Sequence, residues 1–71
     1  MEEVTINTTT IKLDQFLKWA GIADSGGQVR TWVDAGIILV NNEIVTERRK
    51  KIQPGDVVEI KETGIWKVSG S

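Results

Sequence analysis

Four of the nine cationic residues in this 71-residue chain are consecutive: Arg48, Arg49, Lys50 and Lys51. The whole chain carries ten acidic residues and a net charge of -1, so its positive charge is focused rather than spread. Like charges crowded in a loop repel one another unless an anion relieves them, which points to a polyanion. A solvated loop that keeps sheet edges from pairing would also suit such a run. A second feature is Asp24-Ser25-Gly26-Gly27, ahead of an apolar repeat that reads as a helix. There, free backbone N–H groups and the positive end of the helix dipole would converge. Two glycines in a first helical turn cost about 1 kcal/mol each relative to alanine. Bare α-carbons would let a phosphate reach the amides, with Arg30 on the same side to supply a guanidinium. A tight connection between two helices would equally call for glycine. The third feature is Lys12, Gln15 and Trp19, whose spacing sets a cation, an amide and a flat aromatic on one outward strip. Lys18 lies on the other flank of that helix.

Catalytic chemistry has little to work with. The chain has no His and no Cys, the groups that most often serve near neutral pH as base or nucleophile, and no glycine loop matches a triphosphate cradle. Asp14, Asp24, Asp34 and Glu47 are scattered over expected surfaces and helix starts, where capping and solubility explain them better than paired acid–base work. The reading is a binding module with no enzymatic activity, cofactor, metal or small-molecule substrate. The sequence has no apolar run of membrane-spanning length and no signal-peptide series, so the expected location is the cytoplasm.

The elements that must position these residues are short. A 71-residue chain predicts a single domain over 1–71, which hides only about 60% of the surface exposed by its unfolded chain. Without Cys or His it must hold by packing alone. Residues 2–8 alternate apolar and polar around Val4 and Ile6, predicting a short strand at an edge. Thr10 is expected to cap a helix from Ile11, in which Leu13, Phe16, Leu17 and Ala20 make the buried stripe. Gly21 should end it, with Ile22 as the apolar partner of a Schellman-type cap. Asp24 or Ser25 should cap a second helix running to about Ala35, with Val29, Trp32 and Val33 buried and Gly36 as its stop. So short a connection lays the helices against each other, facing a sheet. That sheet is expected from 37–40, 43–46, 57–60 and 65–68. Asn41-Asn42 forms a tight hairpin, and turns fall at Pro54-Gly55 and 62–64. Trp66 should pack over the sheet from the terminal strand, and 69–71 should fray. The fold class is α/β (α+β), two packed helices against a small, mainly antiparallel sheet.

The segments Lys12-Leu13-Asp14-Gln15-Phe16-Leu17-Lys18, Ala20-Gly21-Ile22, Val40-Asn41-Asn42-Glu43-Ile44-Val45 and Lys51-Ile52-Gln53-Pro54-Gly55-Asp56-Val57-Val58 resemble the S-four RNA-binding domain in order and spacing over about 10–61. The similarity is greatest to short bacterial proteins that are little more than this domain, of the alpha-L type of RNA-binding fold. It implies that the two helices and the following loop form one face for structured RNA, such as ribosomal RNA, with a role in ribosome assembly or function. Carried over position by position, Lys12, Gln15, Ser25, Gln28, Arg30, Arg48, Arg49, Lys50 and Lys51 would make the contacts; larger members often place Arg early in the second helix, where this chain has Gly26 and Gly27, which enter the expected site through their bare α-carbons. The expected partners are RNA and ribosomal particles, with no membrane.

From another class, a small protein–protein adaptor stays open. A ubiquitin-like sulfur carrier would suit the hairpin followed by Pro-Gly-Asp, but the helical hairpin precedes the sheet and the chain ends Ser69-Gly70-Ser71, not in a free Gly-Gly.

Overall fold

The two apolar stripes form helices α1 (Leu13–Trp19) and α2 (Gly26–Asp34) in the computed structural model of the chain, which describes residues 1–70. Both end as the glycines suggest. Gly21 takes a left-handed φ of 74°, its N–H donates to the Lys18 carbonyl at 3.1 Å, and the Ile22 N–H donates to Leu17 at 2.9 Å. These two bonds define a Schellman cap. Helix α2 closes in the same way, with Gly36 donating to Val33 and Ile37 to Trp32.

The strands are β1 (Glu2–Ile6), β2 (Ile11–Lys12), β3 (Ile38–Val40), β4 (Glu43–Ile44), β5 (Lys51–Ile52), β6 (Val57–Ile60) and β7 (Gly64–Gly70). Five of them form one sheet in the order β1-β7-β6-β3-β4, in which only the β1–β7 pair is parallel, while β2 and β5 make a separate antiparallel pair. The sheet is therefore mainly antiparallel and β1 lies at an edge, as the alternation of 2–8 suggests. The α+β architecture is the expected one.

The Asn41-Asn42 hairpin joins β3 to β4 with φ angles of 51° and 70°, the positive pair that a two-residue turn of this hand requires. The Pro54-Gly55 turn is closed by Asp56 donating to the Gln53 carbonyl at 3.1 Å. Asn41 ties the two turns together: its amide donates to Asp56 at 3.1 Å, and its carbonyl oxygen accepts the Val57 N–H at 3.0 Å.

Several boundaries differ from the sequence reading: the strands expected over 2–8 and 43–46 end at Ile6 and Ile44, that over 37–40 begins at Ile38, and β5 is an additional strand. Helix α1 starts at Leu13 instead of Ile11, because Ile11 and Lys12 are drawn into pairing with Ile52 and Lys51. The last turn spans 61–63, with Glu62 left-handed at φ 63°. Strand β7 runs on past Val68, since the parallel edge strand pairs Thr5 with Ser69 and Ile6 with Gly70. Ser69 and Gly70 are thus held in the sheet; Ser71 lies outside the described residues.

One apolar core lies between the helices and one face of the sheet. Leu13, Phe16 and Leu17 of α1 and Val29 and Val33 of α2 meet Ile38, Val58, Ile60 and Val68 from the strands, while Ile52 closes the end beside β2. Trp32 and Trp66 pack against this core half-buried, so Trp32 is a flank of the core and not its centre.

Candidate nucleic-acid interface

The cationic run is tied to the start of α1 by backbone. The first amides of a helix have no partner within it, and in α1 the Leu13 N–H donates to the Lys50 carbonyl at 2.8 Å while Asp14 donates to Arg48 at 2.9 Å. This corrects the expected role of Thr10. It precedes β2, the N-cap position is Lys12 without a side-chain cap, and the Thr10 carbonyl accepts the Thr8 hydroxyl. The segment 48–51 is therefore a turn between Glu47 and Lys50 leading into β5, and its carbonyls finish the helix.

That arrangement gathers charge. Lys12 stands directly opposite Lys51 in the β2–β5 pair, and both are exposed. Facing residues of an antiparallel pair have β-carbons about 5 Å apart, where like charges destabilise. The preceding Arg49 and Lys50 are also exposed; Glu47, Arg48 and Arg49 line a shallow open hollow, and Lys50 lines another with Glu43 and Glu47. Lys12, which the sequence places on a helix flank, thus joins the loop cations.

Arg48 has a different role from its neighbours. Its Nη1 lies 3.7 Å from Asp14 Oδ2, and the guanidinium passes so close to α2 that a β-carbon on Gly26 would stand 3.2 Å from it. The missing side chain of Gly26 leaves room for this cation as it crosses from α1 to α2. Asp14, to which the sequence reading gives no site role, is 8% exposed, and its Oδ1 also accepts the Gln15 backbone N–H at 2.8 Å. It is not a scattered surface carboxylate. The sequence offers a hint only in its position next to the buried stripe at the helix start; its partner is 34 residues away, the distance from 14 to 48.

At the other helix, Ser25 is the N-cap and accepts the Gln28 N–H at 3.3 Å, while the Gln28 side chain accepts the Asp24 N–H at 2.8 Å. Both side chains are thus engaged in closing the turn, and Asp24 is not the cap. Gly27 is exposed, with only the Ser25 hydroxyl, at 3.8 Å, near the place of a β-carbon. Arg30 is four residues beyond Gly26 and so shares its side of the helix; among the described residues its one ionic contact is to Asp34 at 4.0 Å between exposed side chains. Gln15 and Trp19 are exposed on α1, and the Trp19 indole N–H donates to the Thr5 carbonyl at 3.0 Å.

The start of α2, the start of α1 and the 48–51 turn therefore meet through Arg48, with Lys12 beside Lys51. Among the described residues no cluster of acidic side chains could hold a metal ion, and no helix is long and apolar enough to cross a membrane.

A helix pair on a mixed sheet with a cationic loop clasped to the helix starts defines a small α+β binding module. The chain belongs to the S4 domain family, whose model matches residues 4–68. It is 40% identical over 65 residues, 92% of each chain, to a Bacillus subtilis (strain 168) protein named "Probable ribosome maturation protein RlbA". It is also 39% identical over 57 residues to "Small ribosomal subunit protein uS4" of Kosmotoga olearia, covering 80% of this chain and 27% of that one.

Proposed function

We propose that this domain binds structured RNA, with ribosomal RNA as the target, and acts without catalysis on ribosomal particles in the cytoplasm, the whole chain working as one binding unit. The names of the two relatives support the ribosomal setting. The single observation that carries the RNA reading is the register that puts Lys12 against Lys51, next in the chain to the exposed Arg49 and Lys50. Such crowding destabilises the free protein and is relieved by phosphate oxygens. Lys12, Arg49, Lys50 and Lys51 are the principal phosphate ligands. Arg30 and the start of α2, where Gly27 is exposed and the Arg48 guanidinium lies over Gly26, receive a further phosphate, Gln15 contributes a polar contact, Ser25 and Gln28 shape the α2 turn, and Arg48 joins its two sides. Side chains cannot read the deep major groove of an RNA duplex, so recognition is by shape and backbone, suited to a junction or hairpin.

The test is Arg49→Glu with Lys50→Glu, leaving Arg48 in place because a carboxylate there would face Asp14. The double variant should lose most affinity for a ribosomal RNA fragment while remaining folded. The slope of log K against log salt should shrink by a little under one for each phosphate no longer neutralised. Unchanged binding removes the turn from the interface.

A protein–protein adaptor is the second reading. On the sheet face turned away from the helices, Ile44, Leu39, Glu59 and Ile65 lie in one cross-strand row, with Ile44 55% and Ile65 42% exposed. Nuclease-sensitive recovery of ribosomal RNA with the protein supports the first reading, and a nuclease-resistant protein partner supports the second.

A further inference from the structure

Trp19 is 58% exposed, yet it is not loose: its indole N–H is bonded to the Thr5 carbonyl of β1 at 3.0 Å. Its one polar atom is satisfied and the ring is held in place, with more than half of its surface open. At about 100° per residue, the residues of α1 outside the apolar stripe follow one another around the helix as the nearly buried Asp14 and then the exposed Lys18, Gln15 and Trp19. The Asp14 side adjoins Arg48, and the Trp19 side adjoins β1. Lys18 and Gln15, both exposed, lie between them. A strip of one exposed cation and one exposed amide therefore leads across the back of α1 from the Arg48 side to a fixed aromatic surface.

We propose that Trp19 is a stacking platform for one unpaired base of an RNA whose backbone crosses Lys18 and Gln15 from the cationic turn. This rests on the RNA-binding reading and adds to it a preference for an unpaired nucleotide. A protein partner would seek an apolar surround for a buried ring, whereas the neighbours of Trp19 on the helix are a cation and an amide. An aromatic already fixed by its own hydrogen bond loses little freedom when a base covers it, which favours binding. Lys18, on the flank opposite Trp19 in the sequence reading, becomes the phosphate contact between turn and platform.

The experiment compares two hairpins with the same stem, one carrying a single bulged adenosine, as ligands for the full chain and for Trp19→Ala and Trp19→Phe. Base–aromatic stacking corresponds to roughly 5- to 150-fold in affinity per base. Wild type should prefer the bulged hairpin by a factor in that range. Trp19→Ala should erase the preference without changing the affinity or salt slope for the continuous stem, and Trp19→Phe, which keeps a ring, should retain much of it. The indole N–H signal of Trp19, assigned by its absence in Trp19→Phe, should shift with the bulged hairpin only, so a poorly folded alanine variant does not decide the matter. No preference in wild type, or equal weakening toward both hairpins in Trp19→Ala, overturns the platform while leaving the phosphate interface standing. Salt-insensitive or absent binding to both hairpins overturns the RNA reading and the platform with it. Self-association of the protein abolished by Trp19→Ala, with RNA affinities unchanged, assigns the ring to a protein contact and also overturns the proposal.

Discussion

Asp14→Asn isolates the link between the cationic turn and the helices. The substitution keeps the size of the side chain and the oxygen that accepts the Gln15 backbone N–H at 2.8 Å, but removes the charge facing Arg48 at 3.7 Å. The pair lies between two regimes. Exposed pairs contribute about 0–1 kcal/mol, and removing one partner of a fully buried pair costs about 3–5 kcal/mol. Asp14 is nearly buried, whereas the Arg48 side chain keeps 35% of its exposure, and the two meet through a single N–O approach without bidentate geometry. The loss should therefore be about 1–2 kcal/mol, because water reaches the guanidinium left behind. For a domain of this size, whose total stability is on the order of 4–10 kcal/mol, that is a large share, and it should lower the melting temperature by about 4–16 °C. Urea unfolding followed by circular dichroism should show a lower midpoint at an unchanged m-value. A double-mutant cycle with Arg48→Gln separates the pair from each residue's other interactions. An interaction energy below about 0.3 kcal/mol would refute the idea that this ion pair joins the turn to the helices, leaving the two backbone bonds to do so alone.

The neighbouring glycines should behave differently despite their identical chemistry. Gly27→Ala meets nothing closer than 3.8 Å and should gain about 0.5–1 kcal/mol in urea unfolding through helix propensity and a restricted unfolded chain. Gly26→Ala must displace the Arg48 guanidinium, 3.2 Å from the new β-carbon, so its gain should be smaller; equal gains would show that the guanidinium does not lie against α2. The two hairpin asparagines should part in the same way. Asn41→Ala removes bonds to Asp56 and Val57 and leaves alanine at φ 51°, for a loss of about 1–2 kcal/mol. Asn42→Gly, at φ 70°, should change stability by less than about 0.5 kcal/mol, since glycine suits that turn position; chemical unfolding of both variants would check the contrast.

Much of this molecule follows from local rules. The buried stripe of Leu13, Phe16 and Leu17, the glycine stops at Gly21 and Gly36, the Asn41-Asn42 hairpin and the Pro54-Gly55 turn all depend on side-chain spacing or on backbone angles open to few residue types, and such constraints act within a few residues. Tertiary structure decided what depends on distant partners. Thr10 had the chemistry to cap α1, but the carbonyls of Arg48 and Lys50 were brought to the same amides by the β2–β5 pairing. Ser69 and Gly70 had the composition of a frayed end, but a parallel edge strand gave their backbone groups partners. A run of four cations could be read from the sequence as polyanion-seeking, yet nothing local could say that Arg48 turns inward to Asp14, that Lys12 takes a place beside Lys51, or that Gly26 is bare where a guanidinium crosses. Those outcomes depend on which strands pair and in what register, and that is settled by burial of the core as a whole.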